Sequence, residues 1–331
     1  MLTAIVKFIS GFLATLMAMF GTVGTYIGDY QGTIKRAQDG CTASFAVISD
    51  THLKDNAFRE GVLELGLLDM ASAEEKLDAL VFDGDITDHG AIEMWDGFAE
   101  SMAKYDSAEQ YVLVAGNHDT WGPVDGDLDS VKNTFIEYNK KVSDRDVSEM
   151  YYTTKIGDCT AIVLGSEGDH TYATISQKQI DWFAAEMAKA SKSGLPIFVF
   201  CHQPINETHG LPYTWDMDKT DEPDTGGIGE ASDAIFNIIK QYKNVFYISG
   251  HIHTGFSKDQ LLSNALSVEK YDGYTLVNAP CYMYPDVVRG GNVTNGTGYI
   301  FEVYNDEVLI RARNFSTGTW CTKFDEVIPL V

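Results

Sequence analysis

The sequence predicts an α/β fold with a mostly parallel sheet, built as a single domain. Three observations predict it. Short apolar runs alternate with stretches of helical periodicity from residue 43 onward. The 331-residue chain is 44% hydrophobic and 22% charged, ordinary for a globular protein with a sizeable core. Polar, metal-competent residues follow directly on several apolar runs, as expected where open α/β sheets place ligands beyond their carboxyl ends.

The elements follow in order. Ala43 to Ile48 reads as a buried strand ending at Ser49-Asp50, and Val62 to Leu77 carries apolar residues at helical spacing. Leu80 to Phe82 is a strand ending at Asp83-Gly84-Asp85. Ile92 to Met102 reads as a helix and Tyr111 to Val114 as a strand ending at Gly116-Asn117-His118. Strands near Tyr151 to Lys155 and Thr160 to Leu164 precede a helix from Gln177 to Ala190. Pro196 to Cys201 is a strand ending at His202, Ala234 to Tyr242 a helix, and Val245 to Ile248 a strand ending at Gly250-His251. Strands and turns follow: Tyr274 to Asn278, Tyr299 to Tyr304 and Val308 to Arg313. There is no internal repeat.

Charge excludes some classes of function. A formal net charge of −24 disfavours a nucleic-acid polymer as partner, because phosphate neutralisation needs clustered Lys and Arg. The same field repels small anions unless a local positive centre overrides it, and bound metal ions are such a centre. Residues 1–28 read as a signal peptide or N-terminal membrane anchor: no charge falls between Phe8 and Gly28, and Lys7 precedes the run. A helix of the folded domain is the third reading. Export, with a membrane tether as its variant, is the expected localisation. The five cysteines form no CxxC pair, which argues against a thiolate zinc site. Cys201 reads as a small buried hydrophobe. Cys41, Cys159, Cys281 and Cys321 could form two disulfides after export.

Five polar clusters carry the chemistry: Asp50-Thr51-His52, Gly84-Asp85-Ile86-Thr87-Asp88, Gly116-Asn117-His118-Asp119, His202, and Gly250-His251-Ile252-His253. His52, His118, His202, His251 and His253 thus account for five of the eight histidines. In an extended segment residues i and i+2 share a face, so Asp50 with His52, and His251 with His253, can each present two ligands to one cavity. Glycines 84, 116 and 250 permit sharp turns and close backbone approach. His89, His170 and His209 read as ordinary polar residues. Trp121, Trp215, Tyr213 and Tyr282 are candidates for a substrate pocket, with core packing the commoner role of such residues. The long segment Gln203 to Glu230 reads as a specificity loop or as a disordered excursion.

In order, D-x-H, G-D-x-x-D, G-N-H-D, H and G-H-x-H resemble the calcineurin-like metallophosphoesterase superfamily, across Asp50 to His253. The resemblance implies a four-layer α/β/β/α sandwich of two mixed β-sheets, with the metallophosphoesterase domain over residues 41–331. It implies two divalent ions, of Mn, Fe, Zn or Co, since the donors are nitrogen and oxygen without sulfur. Asp50, His52 and His253 would hold the first ion and Asn117, His202 and His251 the second. Asp85 would bridge them through its two oxygens. The implied chemistry is hydrolysis of a small-molecule phosphoester by a metal-bridging hydroxide, with His118 as general acid oriented by Asp119. Asp88 would orient a ligand. Two divalent ions carry four positive charges, and two carboxylates with one hydroxide cancel three, so the centre stays positive. The G-N-H-D block leans toward the cyclic-nucleotide and glycerophosphodiester phosphodiesterases. The alternatives are a phosphomonoesterase on the same centre and a non-catalytic metal-binding scaffold.

Overall fold

The structure is a computed structural model and describes residues 28–54, 56–121, 127–168, 171–215, 225–258, 266–284 and 294–331. The expected export segment, apart from Gly28, His170 and the middle of the 203–230 loop lie outside the described residues. Among the described residues no helix is long and apolar enough to cross a membrane.

Two mixed sheets face each other. The first contains β1 (Tyr30–Gln31), β2 (Ala43–Ile48), β3 (Ala79–Asp83), β4 (Tyr111–Val114), β11 (Thr297–Val303), β12 (Glu307–Asn314), β13 (Thr319–Trp320) and β14 (Glu326–Pro329). Its order is β1-β13-β12-β11-β2-β3-β4, with β14 also paired to β12. The second runs β5-β6-β7-β8-β10-β9: β5 (Tyr152–Ile156), β6 (Cys159–Val163), β7 (Ile197–Phe200), β8 (Val245–Ser249), β9 (Val268–Lys270) and β10 (Tyr274–Asn278). Both contain a parallel block, β2-β3-β4 at one side of the first sheet and β6-β7-β8-β10 in the middle of the second.

The period of two along each strand assigns the layers. Phe45 points between the sheets and meets Phe198 edge-on at 4.8 Å and Phe301 face-on at 4.9 Å. Ile197, Val199 and Cys201 point the other way, into a second core with Phe183 and Met187 of α5 (Gln177–Ala190) and Ile235 and Ile239 of α6 (Ser232–Ile239). On the outer face of the first sheet lie α1 (Ala57–Ala71), α2 (Ile92–Met102) and α4 (Leu128–Ser143), where Phe82 meets Phe98 at 4.9 Å and Trp95 stacks on Tyr138 at 5.4 Å. The four-layer sandwich follows.

Some expectations shift. Helix α1 starts at Ala57, because the Asn56 side chain caps it by accepting the Phe58 N–H at 2.9 Å. It ends at Ala71, and Leu77 instead bridges to Ala108 ahead of β3. Helix α4 has no counterpart in the sequence pattern, since it buries only Phe135, Tyr138 and Asn139. The four cysteines considered for disulfides are free thiols on separate segments, as is the buried Cys201.

Candidate metal centre

Five strands of the two sheets end at one edge. Asp50 follows β2, Asp85 follows β3, Asn117 follows β4, His202 follows β7 and His251 follows β8. The short helix α3 (Asn117–Thr120) turns immediately after β4. Residues 279–283 stitch the two sheet ends together: Ala279 N–H donates to Ser249 O at 2.6 Å, and Tyr282 N–H to Ser49 O at 2.9 Å.

The ligand pairs do not sit on extended backbone, contrary to the expectation from i, i+2 spacing. Asp50, His52, Asp85, His251 and His253 all have positive φ, between 43° and 70°. Each lies past its strand end, where the ladder no longer holds the backbone extended. Left-handed backbone at a non-glycine residue costs about 1–3 kcal/mol and persists only when neighbours fix it. Here Asp50 N–H donates to Gly84 O at 3.1 Å, and His52 N–H to Asp85 O at 2.9 Å. Glycine is required where the clusters touch. A Cβ at Gly84 would lie 2.4 Å from the His202 ring, and one at Gly250 would lie 1.8 Å from Ser49 Oγ.

Asp50 and Asp85 are treated alike. Asp50 Oδ2 accepts the His251 N–H at 3.2 Å and Asp85 Oδ1 accepts the His118 N–H at 2.8 Å. Each carboxylate therefore keeps one oxygen for the cavity. Asp50 Oδ1 is 3.3 Å from His253 Nε2 and 3.8 Å from the Nε2 atoms of His52 and His202. Asp85 Oδ2 is 3.1 Å from His202 Nε2, 3.8 Å from His52 Nε2 and 4.0 Å from His118 Nε2. The expectation that Asp85 uses both oxygens thus changes: Oδ1 is engaged by backbone, and Oδ2 alone faces the imidazoles.

Two overlapping groups emerge. Asp50, His52, Asp85 and His253 offer donor atoms within 4.8 Å of one another, as do Asp85, His202 and His251, with Asp85 common to both. Asp50 Oδ1, Asp85 Oδ2, Asn117 Oδ1, His202 Nε2 and His251 Nε2 are buried without a hydrogen-bond partner. Buried polar atoms are nearly always satisfied, so orphans on Asp50, Asp85, His202 and His251 of these two groups, with Asn117 Oδ1 orphaned at the neighbouring strand end, fit a pair of cations there. His202 is oriented for this role: Nδ1 lies 2.7 Å from the Asp83 carbonyl oxygen, so Nδ1 carries a hydrogen and Nε2 is the ring atom turned to the carboxylates.

The electrostatics point the same way. Burial opposes charge on His202, yet the facing Asp85 and Asp50 carboxylates raise its pKa to about 10. Burial lowers His52 to about 4 and puts His251 well below the usual histidine range. Against its burial, His253 likewise stands well above that range, so the carboxylates draw positive charge onto His202 and His253, while His52 and His251 stay neutral, the form that binds metal. The side chains of His118 and His253 are 22% and 26% exposed, so the cavity opens beside them.

Asp119 does not orient His118. Its Oδ1 accepts the N–H and Oγ1–H of Thr87, both at 2.8 Å, and its Oδ2 accepts Ile86 N–H at 3.1 Å and Gly116 N–H at 3.0 Å. Asp119 pins two loops together. His118 Nδ1 instead lies 2.8 Å from the Asp88 carbonyl oxygen. The Asp88 carboxylate is 3.8 Å from His52 Nδ1 and is held by Lys54 at 3.0 Å and by Arg59. His52, Asp88 and His118 form a third acidic-imidazole group, but these two cations already neutralise it.

Arg59 was not among the candidate residues. Its Nη1 donates to both the His52 carbonyl oxygen and Asp88, tying two ligand loops together. One signal was available: a basic residue in the first turn of α1 runs against the helix dipole. Cys281, considered only as a disulfide partner, also reaches the site: it is fully buried, burial raises its thiol pKa, and its Sγ lies 2.9 Å from Met283 O. His209 and the described parts of the long loop are anchored rather than loose. The His209 N–H donates to Glu269 at 2.8 Å, and its Nδ1 is 2.6 Å from Leu266 O.

Comparisons with known proteins agree with this geometry. The family model described as Calcineurin-like phosphoesterase matches residues 43–255. A probable glycerophosphodiester phosphodiesterase of Arcobacter nitrofigilis is 22% identical over 217 residues, 62% of this chain and 70% of that protein. A probable cyclic nucleotide phosphodiesterase of Rhodococcus erythropolis is 28% identical over 170 residues, 48% of this chain and 51% of that protein, so the chain spans about half its length. A crystal structure of a dimetal phosphatase from Danio rerio shares the fold, with a TM-score of 0.58 at 13% identity, covering 88% of this chain and 100% of that one. The chain belongs to the calcineurin-like phosphoesterase family of metal-dependent phosphoester hydrolases.

Proposed function

We propose that the protein hydrolyses a phosphodiester at a dinuclear metal centre. Asp50, His52 and His253 would hold one ion, Asn117, His202 and His251 would hold the other, and Asp85 would serve both. The observation that carries this reading is the membership of Asp85 in both donor groups, with its second oxygen already engaged by the His118 N–H. Bound there, two divalent cations supply an activated water and neutralise the phosphate charge. They also offset the repulsion of a chain with net charge −24.

The protein's own residues do the rest. Because His118 Nδ1 donates to the Asp88 carbonyl oxygen, its Nε2 faces the cavity, 4.0 Å from Asp85 Oδ2. In the imidazolium form Nε2–H is the transferable proton, and His118 delivers it to the departing alcohol oxygen. Arg59 and the Asp88 backbone fix that ring and the His52 loop in place. The preference for a diester is supported by the names of two relatives, a glycerophosphodiester and a cyclic nucleotide phosphodiesterase.

Metal-reconstituted protein is to be assayed with bis(p-nitrophenyl) phosphate and with p-nitrophenyl phosphate. The expected outcome is a higher kcat/KM for the diester. A higher value for the monoester overturns the diester assignment.

A further inference from the structure

Of the four aromatic residues singled out in the sequence, Tyr282 belongs to the core. It is fully buried, with its hydroxyl donating to Val62 O at 3.0 Å. The two tryptophans behave differently. Trp215, on the loop after β7, stacks over the His251 ring with centroids 4.6 Å apart and planes at 22°. Trp121 closes α3 and folds its indole back over His118, with centroids 4.0 Å apart and planes at 39°. The His52 ring also meets the His118 ring, edge-on at 4.5 Å. The position of His118 is thus fixed without the remaining surface of Trp121, which is 43% exposed. Exposed indole beside an active-site imidazole is apolar surface available for stacking.

We infer that Trp121 is a specificity-determining residue whose exposed indole stacks against a planar ring carried by the leaving alcohol of the substrate. Esters of aryl or other ring-bearing alcohols are then preferred over esters of open-chain alcohols such as glycerol. This rests on the reading of His118 as proton donor to the leaving oxygen, because that role puts the leaving group beside Trp121. Aromatic stacking of this kind changes binding by up to about tenfold.

The test uses the full chain loaded with metal. The kcat/KM ratio for bis(p-nitrophenyl) phosphate over glycerophosphoethanolamine is compared between the unmodified protein, Trp121→Ala and Trp121→Phe. Comparing that ratio between proteins cancels the intrinsic reactivity of the two leaving groups. The expected result is a fall in the ratio of about tenfold in Trp121→Ala, largely restored in Trp121→Phe. An equal loss on both substrates, or no change on either, overturns the inference and leaves Trp121 as packing for His118. A second arm measures calorimetric binding of phenylphosphonate and methylphosphonate to the same proteins. A phenyl preference present in the unmodified protein and lost in Trp121→Ala supports the stacking site even where no diester is turned over, an outcome that would count against the hydrolytic reading alone. No phenyl preference in the unmodified protein overturns the inference.

Discussion

At the carboxyl end of β12 in the first sheet, Arg313 is fully buried, and its guanidinium grips both oxygens of Asp69 at 2.7 Å and the Gly32 carbonyl oxygen at 2.7 Å. The Trp320 ring covers it, 4.5 Å from the guanidinium carbon. At the carboxyl ends of β2 and β3, Asp50 and Asp85 are just as buried. Each gives one oxygen to a backbone N–H and leaves the other unpartnered among imidazoles. Arg313 and Asp69 sit on unstrained backbone, whereas five of the site residues adopt positive φ. The two regions share burial and ionisation and differ in whether the charge is answered. A charge answered by a protein partner holds the fold together. Unanswered charge on strained backbone awaits something that is not protein.

The largest expected effect separates the regions by metal. A strong chelator should abolish turnover, and a divalent ion added back should restore it. Ions that bind only the folded chain should also raise its stability, by about 2.7 kcal/mol per site at a hundredfold excess over Kd. The melting temperature measured with and without chelator checks this. A melting point and turnover indifferent to chelation would remove the distinction, because the ligand cluster would then behave like the Arg313 pair.

The converse variant is Arg313→Met. It leaves the Asp69 carboxylate, whose side chain is 15% exposed, without its bidentate partner, so stability should fall by about 2–3 kcal/mol, less than for a fully buried pair. Thermal melting reports the loss, and kcat per folded molecule should be unchanged. A fall in kcat at unaltered stability would mean that the carboxyl end of β12 is coupled to the site.

These two regions also differed in how far they could be read from the sequence. The ligands were legible because each follows a strand end within a short motif, and the structure brings Asp50, His52, Asp85, Asn117, His202, His251 and His253 to one edge. Their backbone was not legible. The i, i+2 spacing suggested extended segments, but the Asp50 and His52 N–H groups donate to the Gly84 and Asp85 carbonyl oxygens and hold left-handed turns instead. The Arg313–Asp69 pair joins residues 244 positions apart and has no local signature. Helix α4 was missed because its buried face is only three residues wide, one of them Asn139. Arg59 reaches the site from a helix whose role in the motif is invisible without coordinates.

The smallest expected effect concerns Asp119, which lies between the two types. It is buried beside the site yet fully answered, with four donors on its two oxygens. As the third residue of α3 it reaches back to the Gly116 N–H, so it closes the turn that presents Asn117 and His118. Asp119→Asn replaces one acceptor oxygen with an NH2 that faces N–H donors. Stability should fall by about 1–3 kcal/mol, read by thermal melting. Because the hydrogen-bond partner of His118 is the Asp88 carbonyl oxygen, the ratio of kcat for a poor to a good leaving group, which reports proton delivery by His118, should be unchanged. If that ratio falls, Asp119 acts on the imidazole directly. The site would then depend on the carboxylate that the hydrogen bonds assign to the loops.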